Sequence, residues 1–522
     1  MTTVPATIVT LAALSSAGLL PALSVVGLRL VTIPLLPLVG AIFTALAATC
    51  FMAVGGSFIG WFVAQAVVSA LVVVAHWIRR PEHRPWRKPA GRRTPGAFLA
   101  QVVTVVGAVA IVGACAWCLR GLATPTVGFD ARALWLMRAG WFLQSHQQLL
   151  TDMRLRDIVL VQTSYPPLVS ASTSLAWGVT GDHTLRLGVV IIALLNTCAL
   201  GVAAFALVDA GRHFAHRLVS MDQEAVQRSG APRERPRDWV RVLPLVVGVI
   251  AAVLLVFVAF GITEPFMTNG YADPIWSLAA VGAVAYGLQL RNSRANQGVT
   301  LILVLVAGMS KDEGFATAIA LIVLIAFRGL VTMSDEDRHR HWWRPILIAL
   351  AELAAISAWP ALMRIIHARG ASMSYSPLHD LPGRARTAFD GMSPYLHVVV
   401  LAALLALVGG MSLSRVRRKS GAANDLWAWA GLAVGLGAVT GGYVTGTSPV
   451  QVWLVGTVDR VTEFPALTAW WIVAMWALTA SGVPLAMRRP SLRTSRNARS
   501  EIETEVDPSL QRARGRAPVA AE

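Results

Sequence analysis

Residues 243–261, LPLVVGVIAAVLLVFVAFG, run without one charged side chain. A helix of that length rises by about 30 Å, the thickness of bilayer hydrocarbon. Comparable apolar runs recur along the chain near 6–28, 31–54, 57–78, 97–118, 185–208, 274–290, 298–309, 314–331, 346–366, 394–412, 426–445 and 465–487. Hydrophobic residues make up 55% of the 522 and charged residues only 14%, with a mean hydropathy of +0.59. A soluble chain of this length would carry far more charge and divide into domains. The expected fold is an all-α polytopic membrane protein, a bundle of about thirteen transmembrane helices.

The formal charge of +17 does not point to nucleic acid, because of where the charge lies. The basic residues cluster at Arg79 to Arg93, Arg212 to Arg241, Arg338 to Arg344, Arg415 to Lys419 and Arg488 to Arg516. Cytoplasmic loops of membrane proteins retain Lys and Arg in this way. Placing those segments in the cytoplasm satisfies strict alternation and leaves 119–184, 262–273, the short turn 309–314, 367–393 and 446–464 facing out. The expected location is the cell membrane, multi-pass, with membrane lipid as a partner and no nucleic acid. The segment 220–240 and the tail 488–522 are too polar to bury apolar surface and read as flexible. Cys50, Cys115, Cys118 and Cys198 fall inside the spans without a His or Cys partner cluster, which reads as packing. The first apolar run lacks a basic leader and a cleavage site and reads as a retained helix. No internal repeat is evident.

The first long outward segment, 119–184, is not an ordinary connector. Residues 130–145, DARALWLMRAGWFLQS, interleave Leu134, Trp135, Met137, Trp141 and Phe142 with Arg132, Arg138 and Gln144. That pattern suits a helix in the membrane interface with its rings at headgroup depth. Tyr165-Pro166-Pro167-Leu168 follows, then an apolar stretch (169–179) too short to span, again read as lying on or partly in the outer leaflet.

The order of these features resembles the membrane glycosyltransferases of the GT-C fold. An acid opens the first outer loop, an aromatic-Pro-Pro-Leu turn follows, and Gly181-Asp182-His183-Thr184-Leu185-Arg186 leads into the next span. The likeness is to the branch that uses polyprenyl-phosphate sugars, related to protein mannosyltransferases and aminoarabinose transferases. It covers roughly 97–470. On this resemblance the chain divides into a three-helix extension (1–78), a basic loop (79–96), a GT-C-like catalytic domain (97–487) with 119–184 as its active-site loop, and a cytoplasmic tail (488–522).

The resemblance makes Asp130 the catalytic base. Inverting transfer requires the acceptor hydroxyl to lose its proton as it attacks the anomeric carbon, and a carboxylate within reach can take it. The plain alternative is that Asp130 caps the helix starting at Ala131. Asp273, in Thr268-Asn269-Gly270-Tyr271-Ala272-Asp273-Pro274, is the second acid, to position the acceptor or bind a metal; its alternative is an N-cap before Pro at N1. In Ser310-Lys311-Asp312-Glu313-Gly314 the S-x-x-E spacing is a capping box. It leaves Lys311 and Asp312 unexplained at the membrane edge, where charge is costly, and the resemblance places Lys311 at the lipid phosphate. Asp312 and Glu313 belong to the same candidate substrate site, as does Tyr165. Arg460, after Asp459, suits the leaving phosphate, since a guanidinium binds phosphate oxygens as a fork; alternatively it anchors at the interface or pairs with Asp459 or Glu463. Arg132, Arg154 and Arg156 are further cations for the phosphate charge.

The implied donor is a polyprenyl-phosphate monosaccharide, mannose or arabinose being the expected sugars, and the acceptor a glycan, glycolipid or protein of the envelope. Asp130 is followed by Ala131 and Arg132 and not by a second acid, so the paired-acid metal motif of the oligosaccharyltransferase branch is missing. No metal ligand and no cofactor is assigned, although a divalent cation is compatible with these acids. A transporter or flippase of lipid-linked sugars and a noncatalytic scaffold for envelope assembly are the competing functions. A transporter places charges near the midplane on broken helices, often with repeat symmetry, whereas here the charges crowd one rim.

Overall fold

The structure is a computed structural model describing residues 3–80, 95–155, 162–229, 238–290, 292–368, 380–412, 425–446 and 449–481. Those residues are mostly helical, with no strand among them. The first four helices are α1 (Thr3–Val26), α2 (Thr32–Val54), α3 (Phe58–Arg79) and α4 (Pro95–Cys118). Next come a π-helical turn (Ala131–Leu136) and four helices: α5 (Met137–Trp141), α6 (His146–Arg154), α7 (Leu168–Thr180) and α8 (Leu185–Ser229). They are followed by α9 (Asp238–Thr263), then α10 (Asp273–Ala283), which continues into a second π-turn (Val284–Gln289). α11 (Arg294–Gly308), α12 (Asp312–Val331), α13 (Asp335–His341), α14 (Trp343–Ile365), α15 (Leu381–Met392) and α16 (His397–Ser412) follow. The last three are α17 (Asp425–Thr445), α18 (Val450–Val461) and α19 (Glu463–Ser481).

Ten described helical stretches are long and apolar enough to cross a membrane, or eleven when α15 and α16, bent by 76°, count as one broken span. The chain is therefore a multi-pass membrane protein. The expected runs overlap described helices, but ten or eleven stretches, not thirteen, pass as spans, and the last run (465–487) is described only to residue 481. Those that miss the length test have visible reasons: α10 changes to π-helical winding at Val284, and α11 has only 15 residues.

α1 and α2 pack backbone to backbone. A Cβ on Gly18 would strike the Leu36 carbonyl, and one on Gly40 the Leu14 carbonyl. Small residues at such crossings let helices approach closely where lipid gives no hydrophobic drive. The first two helices pack against the rest of the bundle. α1 and α2 pack on α7, α8 and α11, and Thr44 Oγ1 lies 3.0 Å from Ser172 Oγ in the interior. Arg29, in the turn between α1 and α2, donates to Asp209 of α8 at 2.6 Å and to Asn296 of α11 at 2.8 Å, while Tyr286 OH donates to Asp209 at 3.0 Å.

The loop expected to lie in the interface is instead packed into the protein. Trp135, Leu136, Arg138, Trp141 and Phe142 are all buried. Phe142 stacks on Phe58 and meets Trp359 edge-on. α7 is buried from Leu168 to Trp177 and ends at Gly181, whose left-handed φ of 70° suits glycine. An apolar helical face looks the same in sequence whether lipid or protein covers it. The segment 220–240, expected to be flexible, is helical up to Ser229 and again from Asp238; 230–237, and the tail 488–522, lie outside the described residues.

Candidate active site

α10 and α12 each bring a charged N-terminal end to the same end of the bundle. Asp273 opens α10 and Lys311 immediately precedes α12. Both are buried, at 0% and 2% exposure, and Lys311 Nζ donates to Asp273 Oδ1 at 2.7 Å. Arg460, near the end of α18, reaches the same carboxylate: its guanidinium lies 3.4 Å from Asp273 Oδ2. The same nitrogen donates to Asp130 Oδ2. A second guanidinium nitrogen donates to the Gly456 carbonyl at 2.8 Å. The group also sits over the rings of Tyr271 and Phe266, 5.0 and 5.8 Å from their centroids, an arrangement that favours a cation. Glu313 completes the set at 3.4 Å from Lys311.

Burial alone would push the Asp273 carboxyl up, but Lys311 and Arg460 outweigh it and hold it below the usual range. Lys311 is the mirror case. Burial favours its neutral amine, yet Asp273 and Glu313 raise it above the ordinary lysine value. Each charge is kept by the other.

None of these residues spends its side chain on capping. Asp130 and Asp273 make no cap hydrogen bond, and Ala272 holds the N-cap position of α10. The capping box is not formed: Ser310 Oγ donates back to the Val306 carbonyl, and Lys311 is the N-cap of α12. The Arg460 side chain does not pair with Asp459, whose carboxylate instead accepts from the Arg460 backbone amide at 2.9 Å. Glu463 pairs with neither and accepts from Ser277 at 3.0 Å.

The cluster lines a cavity of about 250 Å³, with Asp130, Lys311, Asp312, Glu313, Arg460 and Tyr165 in its wall. Phe129, Tyr443 and Trp453 supply aromatic surface. Tyr165 stacks on Trp135 with ring centroids 5.5 Å apart. Arg132 and Arg154 are not brought to the cavity: both are exposed, and Arg154 donates to the Ile366 carbonyl at 3.0 Å. Arg156 lies outside the described residues. The sequence reading missed Arg138, which is fully buried and donates to the Tyr165 carbonyl at 2.8 Å and the Gln162 carbonyl at 3.4 Å. It holds the Tyr-Pro-Pro-Leu turn against the cavity. An arginine among four large apolar residues was the available signal. Tyr271 was also missed, although it stands two residues before Asp273. Among the described residues no three His, Cys, Asp or Glu side chains are grouped as a metal-ligand set.

The fold and this cluster define a multi-pass helical membrane protein with buried, mutually paired charges at one end of its bundle. No protein-family model, curated protein or solved structure matches the chain.

Proposed function

We propose that this protein is an inverting glycosyltransferase of the GT-C type. It takes a sugar, mannose or arabinose, from a polyprenyl-phosphate monosaccharide at the extracytoplasmic face of the cell membrane and passes it to an envelope glycan, glycolipid or protein. The observation that carries the reading is the meeting of Asp130, Lys311 and Arg460 in the wall of one cavity, with the buried Asp273 pairing with both cations behind it.

In the transfer, the acceptor hydroxyl oxygen forms a bond to the anomeric carbon, and its proton passes to Asp130. The bond from that carbon to the phosphate oxygen breaks, and its electron pair leaves with the polyprenyl phosphate. Lys311 and Arg460 stabilise the charge that develops on the departing phosphate. Without donor, Arg460 is occupied by Asp130 and Asp273. A donor phosphate competes for the guanidinium, and Asp130 is released to act as base only when the donor is in place. Asp273 remains buried and positions both cations. The cavity is smaller than the roughly 300–1,000 Å³ of a typical ligand site, which suits a sugar-phosphate head with its polyprenyl tail left in lipid.

The test incubates membranes with labelled polyprenyl-phosphate sugar and compares wild type with Asp130→Asn. Loss of a general base costs roughly 10²–10⁴-fold. A stably expressed Asp130→Asn protein with full transfer refutes the role of Asp130. Movement of intact lipid-linked sugar across the membrane, with no transfer by the wild type, favours the flippase.

A further inference from the structure

α10 and α12 carry a second polar cavity at their other ends. From Asp312 to Arg328 the helix rises by about 24 Å, so this cavity is separated from the first by most of a bilayer thickness. Its volume is about 680 Å³, within the range of ligand sites. Four arginines line it, Arg217, Arg294, Arg328 and Arg344, against a single carboxylate, Glu352. On the orientation proposed above this end faces the cytoplasm.

Arg328 is the informative residue. It is 5% exposed, and its guanidinium donates to the carbonyls of Gly287 and Leu290, the latter at 3.1 Å. Both acceptors are neutral, and its Nε has no hydrogen-bond partner. Among the described residues no carboxylate pairs with it. A buried arginine normally meets an acid, because a lone charge in low dielectric is costly. The other half of the wall is apolar: Phe214, Ile322, Ile325, Ile348, Met475 and Leu478. Ile348 is 48% exposed on the outside of α14, which opens the cavity sideways toward lipid.

We propose that this cavity binds a phosphate-bearing ligand, whose anionic group is held by Arg328, Arg344 and their neighbours. A forked guanidinium matches phosphate oxygens. Of the two sources of such a group, an anionic phospholipid and a soluble phosphate, the apolar wall and sideways opening favour the phospholipid, with its chains laid along Ile325 and Ile348.

The test uses the purified full-length protein in uncharged detergent with equal amounts of phosphatidylglycerol and phosphatidylcholine, and native mass spectrometry reads which lipid is retained. The wild type should keep phosphatidylglycerol in preference, and Arg344→Gln and Arg328→Gln should each lower that preference about fivefold, as for one basic group at an anionic surface. Arg344 is exposed, so its variant keeps the test valid if the buried Arg328→Gln misfolds. Arg386→Gln, on α15 away from this cavity, should change nothing. In a second arm, pyrophosphate is added without lipid and the thermal midpoint is read. A rise in the wild type that both variants lose, without any lipid preference, assigns the site to a soluble phosphate and overturns the phospholipid source. No preference and no rise, or a preference that survives both substitutions, overturns the site.

Discussion

Replacing Asp273 by Asn should destabilise the protein strongly, and replacing Lys311 at the same time should return part of the loss. Asp273 is wholly buried and faces Lys311 at 2.7 Å and Arg460 at 3.4 Å. At an effective dielectric of about 20 these separations correspond to gross attractions of roughly 5–6 kcal/mol each. Desolvation offsets most of that, and removing one partner of a buried pair costs about 3–5 kcal/mol because the other charge is stranded. Lys311 keeps Glu313 at 3.4 Å and Arg460 keeps Asp130, so Asp273→Asn should sit near the lower limit, about 3 kcal/mol. Adding Lys311→Met removes the stranded ammonium. The double variant should be about 1–2 kcal/mol more stable than the sum of the two single losses, the coupling expected of residues in contact. The assay is a double-mutant cycle on unfolding of the purified protein in mixed micelles. Additive losses, or an Asp273→Asn protein as stable as the wild type, would refute the buried pair.

Arg29→Ala cuts the links from the α1–α2 turn to Asp209 and Asn296; it should cost about 2 kcal/mol and expose the first helices to protease before the rest. Arg138→Gln should cost about 2–3 kcal/mol and lower transfer without abolishing it, since the residue positions the Tyr165 turn. The Asp273 carboxyl is held below the roughly 3.9 of an unfolded Asp. Its stabilisation is therefore complete above that value and lost as pH falls through its folded pKa. Acid unfolding curves of the wild type should fall more steeply below about pH 4 than those of Asp273→Asn, and parallel curves would contradict the assignment.

The membrane class was legible because hydrocarbon thickness imposes a length on each apolar run, and α9 states it without interruption. The identity of the charged residues was legible too: Asp130, Asp273, Lys311 and Arg460 each stand where an apolar run breaks. Their pairing was not. Asp130 and Arg460 are 330 residues apart, and the caps expected of Asp273 and Ser310 give way to Lys311 and Arg460 for the first and to the Val306 carbonyl, one turn back, for the second. The tryptophan-rich stretch was read as lipid-facing because helical periodicity records an apolar environment without saying which one. Arg132 and Arg138 looked alike in sequence, but Arg132 lies within the π-turn at Ala131–Leu136 and Arg138 beyond it, and one side chain is exposed while the other is buried.

The most direct measurement is single-turnover transfer by purified protein in liposomes carrying labelled polyprenyl-phosphate sugar and acceptor, with release of polyprenyl phosphate read alongside. The account predicts that Asp130→Asn still binds polyprenyl phosphate through Lys311 and Arg460 but transfers at least 10²-fold more slowly. A folded Asp130→Asn protein that transfers sugar at the wild-type rate would contradict it.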